Sequence, residues 1–264
     1  NSLETYSTTE SLPAGSLIIA MNKFLQGNSD NQVRKVYGLA VHLLHAGIPL
    51  KWIIKSNKTS RTATDFSAKA KIVYPSPSGG YGVRDFKSGA IAIFPGFESQ
   101  AQSVINSFGN NIKIYELEEE EEVPVYSDIT HKPKVAVLNN GNKTKIHTDI
   151  LDNAGFTNNT HYVVTSASDL SSNSCFTVAT EPHVDNVSTG NVENVRDFVR
   201  NGGNFLAQCA GVRSYQGGGK NNNSNVFLFS NSGYIDEPGL SNFQYSNPTE
   251  PFAQFEGTIP DEGG

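Results

Sequence analysis

Cys209 lies in the stretch Gly202-Gly203-Asn204-Phe205-Leu206-Ala207-Gln208-Cys209-Ala210-Gly211. This reads as a helix end, an apolar strand and a tight turn into another helix. A nucleophile on such a turn stands at a helix N-terminus. There the positive dipole end lowers a thiol pKa, and unpaired backbone N–H groups can bind an oxyanion. This is the cysteine form of a nucleophile elbow. A thiol nucleophile needs a base, and every histidine (His42, His45, His131, His147, His161, His183) precedes Cys209. Glu181-Pro182-His183 follows an expected strand at Phe176–Thr180. His183 therefore reaches the same rim as Cys209, with Glu181 placed to orient the imidazole. The competing reading is that His183 only caps or packs within its loop. His42 and His147 fall off the apolar stripes of their helices, so surface positions suffice for them. His45 lies near a helix C-terminus, where a partly charged imidazole is favoured.

Parallel α/β sheets bind ligands outside the carboxyl ends of their strands. The residues that follow each strand of the second half are therefore grouped. Asn139 and Asn140 follow the first strand, Ser166 follows the second, and Gln208 and Ala210 flank the thiol. These five are the expected ligand-binding positions, for a small molecule or a glycan. Cys175 precedes its strand, at the opposite end from Cys209. A disulfide needs Cα atoms within about 7 Å, whereas a five-residue strand spans about 16 Å. A Cys175–Cys209 bridge thus requires the preceding loop to fold back, and it would block the nucleophile. Two cysteines without C-x-x-C spacing do not make a zinc site. Gly217-Gly218-Gly219-Lys220 lacks both the Walker spacing and the Ser or Thr after Lys. No metal and no cofactor is expected.

The elements that must position these residues alternate. Ser16–Met21 reads as a buried strand. Ser29 with Gln32 makes a capping box for a helix whose stripe is Val33, Val36, Tyr37, Ala40, Val41 and Leu44. Leu50–Ile54 is the next strand, then Ala90–Phe94, a helix around 98–108, and a strand at Ile112–Leu117. Residues 74–80 read as a loop. Glu118–Glu122 reads as a solvated linker face. The second half repeats the rhythm with strands at Val135–Leu138, His161–Val164, Phe176–Thr180 and Phe205–Gln208. The expected architecture is α/β, with two Rossmann-like halves and mostly parallel sheets covered on both faces. Its expected divisions are a first α/β half at 1–117, an acidic linker at 118–132, and a second half at 133–264 with an irregular, aromatic-rich C-terminal segment. Phe227, Phe229, Tyr234, Phe243, Tyr245, Phe252 and Phe255 are expected to cover the second half's core; if exposed, they would stack on sugar rings.

The elbow, preceded by Gly-Gly and an apolar strand, resembles that of class I glutamine amidotransferase-like proteins. Relatives in that superfamily include trehalose-utilisation-type domains and the N-terminal domain of some biotin-protein ligases. The resemblance covers roughly 133–215 and implies a glutamine amidotransferase-like, flavodoxin-like second half. It also implies a nucleophile position at Cys209 and an oxyanion position at the Ala210 amide. The chain departs from the family pattern at three places. Ala207 replaces the first elbow glycine. Glu181-Pro182-His183 stands where the family keeps Pro-Gly-Gly. No histidine follows Cys209, so a family-type triad cannot form within these residues. Either catalysis is lost, or the base lies beyond Gly264, or His183 serves instead.

The bulk properties narrow the partners. The chain has 264 residues, a net charge of −6 and only 17% charged residues, with no basic cluster. Nucleic acid needs a basic face, which is missing. No apolar run approaches the roughly 20 residues that cross a bilayer. Low charge with abundant Asn, Ser and Thr suits an exported or cell-surface protein, and the open ends suggest a piece of a larger polypeptide. Two functions follow. One is a binding or structural module that has lost catalysis. The other is a cysteine-dependent hydrolase or acyl-transferase acting on an amide or ester through Cys209.

Overall fold

The computed structural model describes residues 7–109, 111–171, 175–216, 247 and 249–255. The chain divides into two compact units, one of 1–132 with 240–264 and one of 133–239.

The first unit contains β1 (Thr8–Leu12), β2 (Leu17–Ile19), α1 (Asp30–His45), β3 (Leu50–Ile53), β4 (Thr64–Tyr74), β5 (Ser78–Lys87), β6 (Ala90–Ile93), α2 (Glu98–Phe108), β7 (Ile114–Leu117) and β8 (Glu121–Ile129). These strands form one eight-stranded sheet in the order β1-β8-β3-β6-β2-β7-β4-β5. Every neighbouring pair in it is antiparallel. The expectation of two Rossmann-like halves with mostly parallel sheets is therefore wrong. β2 and β3, which flank the first helix in sequence, are not neighbours; β6 inserts between them and runs against both.

Two segments depart furthest from the expectation. Residues 64–87 form a long hairpin, in which the loop expected at 74–80 shrinks to a tip at 75–77. In β4 the side chains of Phe66, Ala68 and Ala70 are buried while Ser67 and Lys69 are exposed, which is the period-2 pattern of a strand with one face to the core. The second segment is the acidic run. Glu118 to Glu120 are exposed, but Glu121 and Glu122 begin β8, where Val123 and Val125 are buried. The expected linker at 118–132 is thus largely a strand inside the sheet.

One face of the sheet packs on α1 and α2 through Leu17, Ile19, Val36, Leu43, Ile91 and Ile105. The other face is closed by the sheet itself, with Phe66 stacked on Phe86 at 4.7 Å and Val123 and Val125 in the same cluster. Ser29 caps α1 by accepting from the Gln32 N–H at 3.3 Å. The reciprocal half of the capping box is not made, because Gln32 Oε1 has no partner among the described residues.

The second unit is built differently. It contains β9 (Val135–Leu138), α3 (Lys145–Ala154), β10 (Tyr162–Thr165), a 3-10 turn (Ala167–Leu170), β11 (Val178–Glu181), α4 (Thr189–Arg200), β12 (Asn204–Ala207) and α5 (Ala210–Tyr215). Its sheet has four strands in the order β10-β9-β11-β12, all parallel. Ala136, Leu138 and Ala179 face α4, whose Val192, Val195 and Phe198 are buried against them. Side chains of this size contribute about 1.5–3 kcal/mol each when fully buried. Ser188 caps α4 by accepting from the Asn191 N–H at 3.2 Å. The Gly202-Gly203 pair after α4 has a packing reason: a Cβ on Gly203 would meet the Phe198 ring at 2.3 Å.

Of the C-terminal aromatics, the two among the described residues, Phe252 and Phe255, do not form the expected cover of the second core. Phe255 lies beside Tyr37, with ring centroids 6.2 Å apart, and Phe252 is 95% exposed. Both belong to the first unit, so the division 133–264 does not hold for residues 247 and 249–255. Phe227, Phe229, Tyr234, Phe243 and Tyr245 lie outside the described residues.

Candidate functional site

All four strands of the second unit are parallel, so their carboxyl ends share one rim. Cys209 follows β12 by two residues and is exposed. Its backbone sits at φ 54° and ψ −135°, a conformation that suits glycine and costs an L-residue about 1–3 kcal/mol. The turn is held from both sides. The Gln208 N–H donates to the Glu181 carbonyl at 3.0 Å, the Gly211 N–H to the Gln208 carbonyl at 3.0 Å, and the Val212 N–H to the Cys209 carbonyl at 3.1 Å. The Ala210 N–H makes no hydrogen bond among the described residues.

His183 Nδ1 lies 3.2 Å from Cys209 Sγ, within the range for a hydrogen bond to sulfur. The opposite ring nitrogen, Nε2, faces Asp185 Oδ1 at 3.6 Å, an ion-pair distance. The loop bearing the histidine is fixed from below. Val184 is buried and its carbonyl accepts from Ser214 Oγ at 2.6 Å. Gly141 lies so close that a Cβ there would be 1.7 Å from the His183 carbonyl oxygen.

Glu181 does not orient the imidazole. Its side chain turns inward and is fully buried. Oε2 accepts from Asn140 Nδ2 at 3.0 Å, and Oε1 has no partner among the described residues. Burial pushes the carboxyl up to about 7; the Asn140 amide and the nearby His183 backbone N–H pull the other way without cancelling it. The same Asn140 amide donates to Tyr215 Oη at 3.1 Å, and Asn140 Oδ1 accepts from Asn191 Nδ2 at 3.1 Å. Burial and the adjacent Glu181 both push the Tyr215 phenol above its ordinary value. α5 sits directly over this network, because a Cβ on Gly211 would stand 3.0 Å from Glu181 Cγ. Glu181 and Asn140 are thus a polar floor beneath the elbow.

The other expected ligand positions divide. Gln208 is exposed, and its Oε1 lies 2.8 Å from His147 Nε2. His147 is itself buried, not at the surface as its place on the helix suggested, while Ile146 and Ile150 are exposed. Asn139 is exposed and lends only its backbone, donating to the Thr165 carbonyl at 3.0 Å. Ser166 caps the 3-10 turn with Asp169. β10 is three strand spacings from β12, about 14 Å, so Ser166 is not brought to the thiol.

No bridge joins Cys175 to Cys209. Cys175 precedes β11 and Cys209 follows β12, at opposite ends of two parallel strands. Among the described residues, no group of three or more His, Cys, Asp or Glu is arranged to hold a metal ion, and no helix is long and apolar enough to cross a membrane. Sequence reasoning missed Asp185, whose signal was its place two residues after His183. It also missed Asn191 and Tyr215, which carried none.

No family model, curated protein or solved structure matches this chain.

Proposed function

We propose that the second unit is a cysteine-dependent acyl hydrolase or acyl-transferase acting on an amide or ester. The observation that carries this reading is the exposed thiol on a strained turn, 3.2 Å from an imidazole nitrogen. Strain of this kind persists at functional sites, where the surrounding structure over-determines it. In the mechanism, His183 Nδ1 takes the thiol proton and Cys209 Sγ attacks the substrate carbonyl carbon. The Ala210 N–H faces the oxygen on which negative charge develops. His183 then returns the proton to the leaving amine or alcohol. Water, deprotonated by the same nitrogen, releases the acyl group. Asp185 Oδ1, 3.6 Å from Nε2, faces the ring that carries the proton between these steps.

In this reading the base comes from upstream of the nucleophile, where the family pattern has its histidine downstream. The resemblance to class I glutamine amidotransferase-like proteins supports the same nucleophile and oxyanion positions. Composition supports export to a cell surface, and a small-molecule or glycan acyl compound as the substrate class. The test is turnover of p-nitrophenyl acetate by the whole chain. Cys209→Ala should abolish it, and Asp185→Asn should lower kcat about tenfold or more with KM little changed. Turnover that survives Cys209→Ala, or a wild-type rate equal to that of the variant, would leave a binding module without catalysis.

A further inference from the structure

The first unit buries a polar cluster of its own side chains. Lys58 Nζ lies 3.0 Å from Asp65 Oδ1 and 2.9 Å from Gln254 Oε1. The Lys58 and Asp65 side chains have no exposed surface, and Gln254 is 1% exposed. Gln254 Nε2 donates to the Glu250 carbonyl at 3.0 Å, which fixes the amide with its oxygen toward the lysine. The wall behind it is tight, since a Cβ on Gly89 would meet Trp52 Nε1 at 2.7 Å and Gln254 Cγ at 3.2 Å. An amine, a carboxamide and a carboxyl group are thus held together out of water.

We propose that Lys58 and Gln254 condense into an intramolecular isopeptide bond, with Asp65 moving the protons. The charged pair can pass one proton from Lys58 to Asp65. In a dry site the resulting neutral pair avoids the desolvation cost of two buried ions. Burial also raises the Asp65 carboxyl above its ordinary range, although Lys58 and the Lys55 and Gly89 N–H groups oppose this. The Lys58 lone pair then attacks Gln254 Cδ, and Asp65 protonates the carbonyl oxygen. Collapse of the adduct breaks the Cδ–Nε2 bond. Asp65 carries the proton lost from Nζ to the departing nitrogen. One N–C bond forms, one N–C bond breaks, and one ammonia leaves, with no oxidant or cofactor needed.

The geometry is close to reactive. Gln254 Cδ is at most one C=O length, about 1.2 Å, beyond the contact with Oε1. Near-attack contacts are about 3–3.5 Å, and held reactants reach effective molarities of about 10⁵–10⁸ M. The bond would tie residue 254 to the sheet unit across a sequence separation of 196 residues.

The test is the intact mass of the whole denatured chain, followed by peptide mapping. The expected result is a mass one ammonia below the sequence mass, with a branched peptide joining Lys58 to Gln254. Gln254→Leu keeps the Lys58–Asp65 pair and should restore the full mass. A wild-type chain of full mass after prolonged warm incubation would overturn the proposal. So would loss of water mapped to Lys58 and Asp65, or loss of ammonia mapped to an Asn-Gly succinimide.

Discussion

Replacing Glu181 with Gln tests whether the carboxyl under the elbow is kept neutral by burial. The side chain is fully buried, and its pKa stands at about 7 against an ordinary 4.5. Because the folded-state value is the higher one, the folded chain holds a proton that the unfolded chain has already released. The associated stability is complete below about pH 4.5 and drains away as pH rises to about 7. A shift of this size corresponds to about 3 kcal/mol. Gln keeps the shape and removes the titration. At pH 8 the Glu181→Gln variant should therefore be about 2–3 kcal/mol more stable than the wild type, and at pH 4.5 the two should agree within about 1 kcal/mol. The only tryptophan, Trp52, lies in the other unit, so fluorescence would report the wrong transition. Urea titration followed by the backbone NMR signals of Val137 and Ala179 reads the relevant sheet directly. If wild type and variant lose stability in parallel between pH 4.5 and 7, Glu181 does not carry the proton and the reasoning fails. It fails equally if the variant is the weaker protein at pH 8.

Two further perturbations address the elbow and its support. Cys209→Gly should exceed Cys209→Ala in stability by about 1 kcal/mol or more, because glycine accepts the positive φ that alanine does not; equal urea midpoints would mean the turn is not strained. Gly141→Ala places a methyl group 1.7 Å from the His183 carbonyl oxygen, so the histidine loop must shift; p-nitrophenyl acetate turnover should fall at least tenfold, and unchanged turnover would contradict the contact.

The second unit was the more legible half of the sequence. Val135–Leu138 is a short, wholly apolar run, and parallel strands buried on both faces read that way; the expected strand at Phe176–Thr180 begins two residues before the observed β11, which ends on Thr180 and Glu181. β4 and β5 were hidden by their composition. Ala68-Lys69-Ala70-Lys71 alternates correctly but with weak strand formers, and Gly79-Gly80-Tyr81-Gly82 reads as turn chemistry. Tertiary pairing in the long hairpin overrode both signals. That Cys209 and His183 share one rim was readable, because the ends of adjacent parallel strands must meet there; whether His183 reaches the thiol or only packs within its loop was left open by the sequence. The role of Glu181 was not. As the last residue of β11 its side chain falls on the face covered by α5, and nothing in its spacing from His183 reveals that it turns inward. Asp185, one turn of the loop further, stands by the imidazole in its place.

The central claim, that Cys209 is an activated nucleophile with His183 as its base, is tested most directly by the rate of iodoacetamide labelling at neutral pH. Cys175 is also exposed and serves as the reference thiol in the same chain. Site-resolved mass spectrometry should show Cys209 labelled at least ten times faster than Cys175, and His183→Ala should bring the two rates together. Equal rates in the wild type, or a fast Cys209 that is unaffected by loss of His183, would contradict the account.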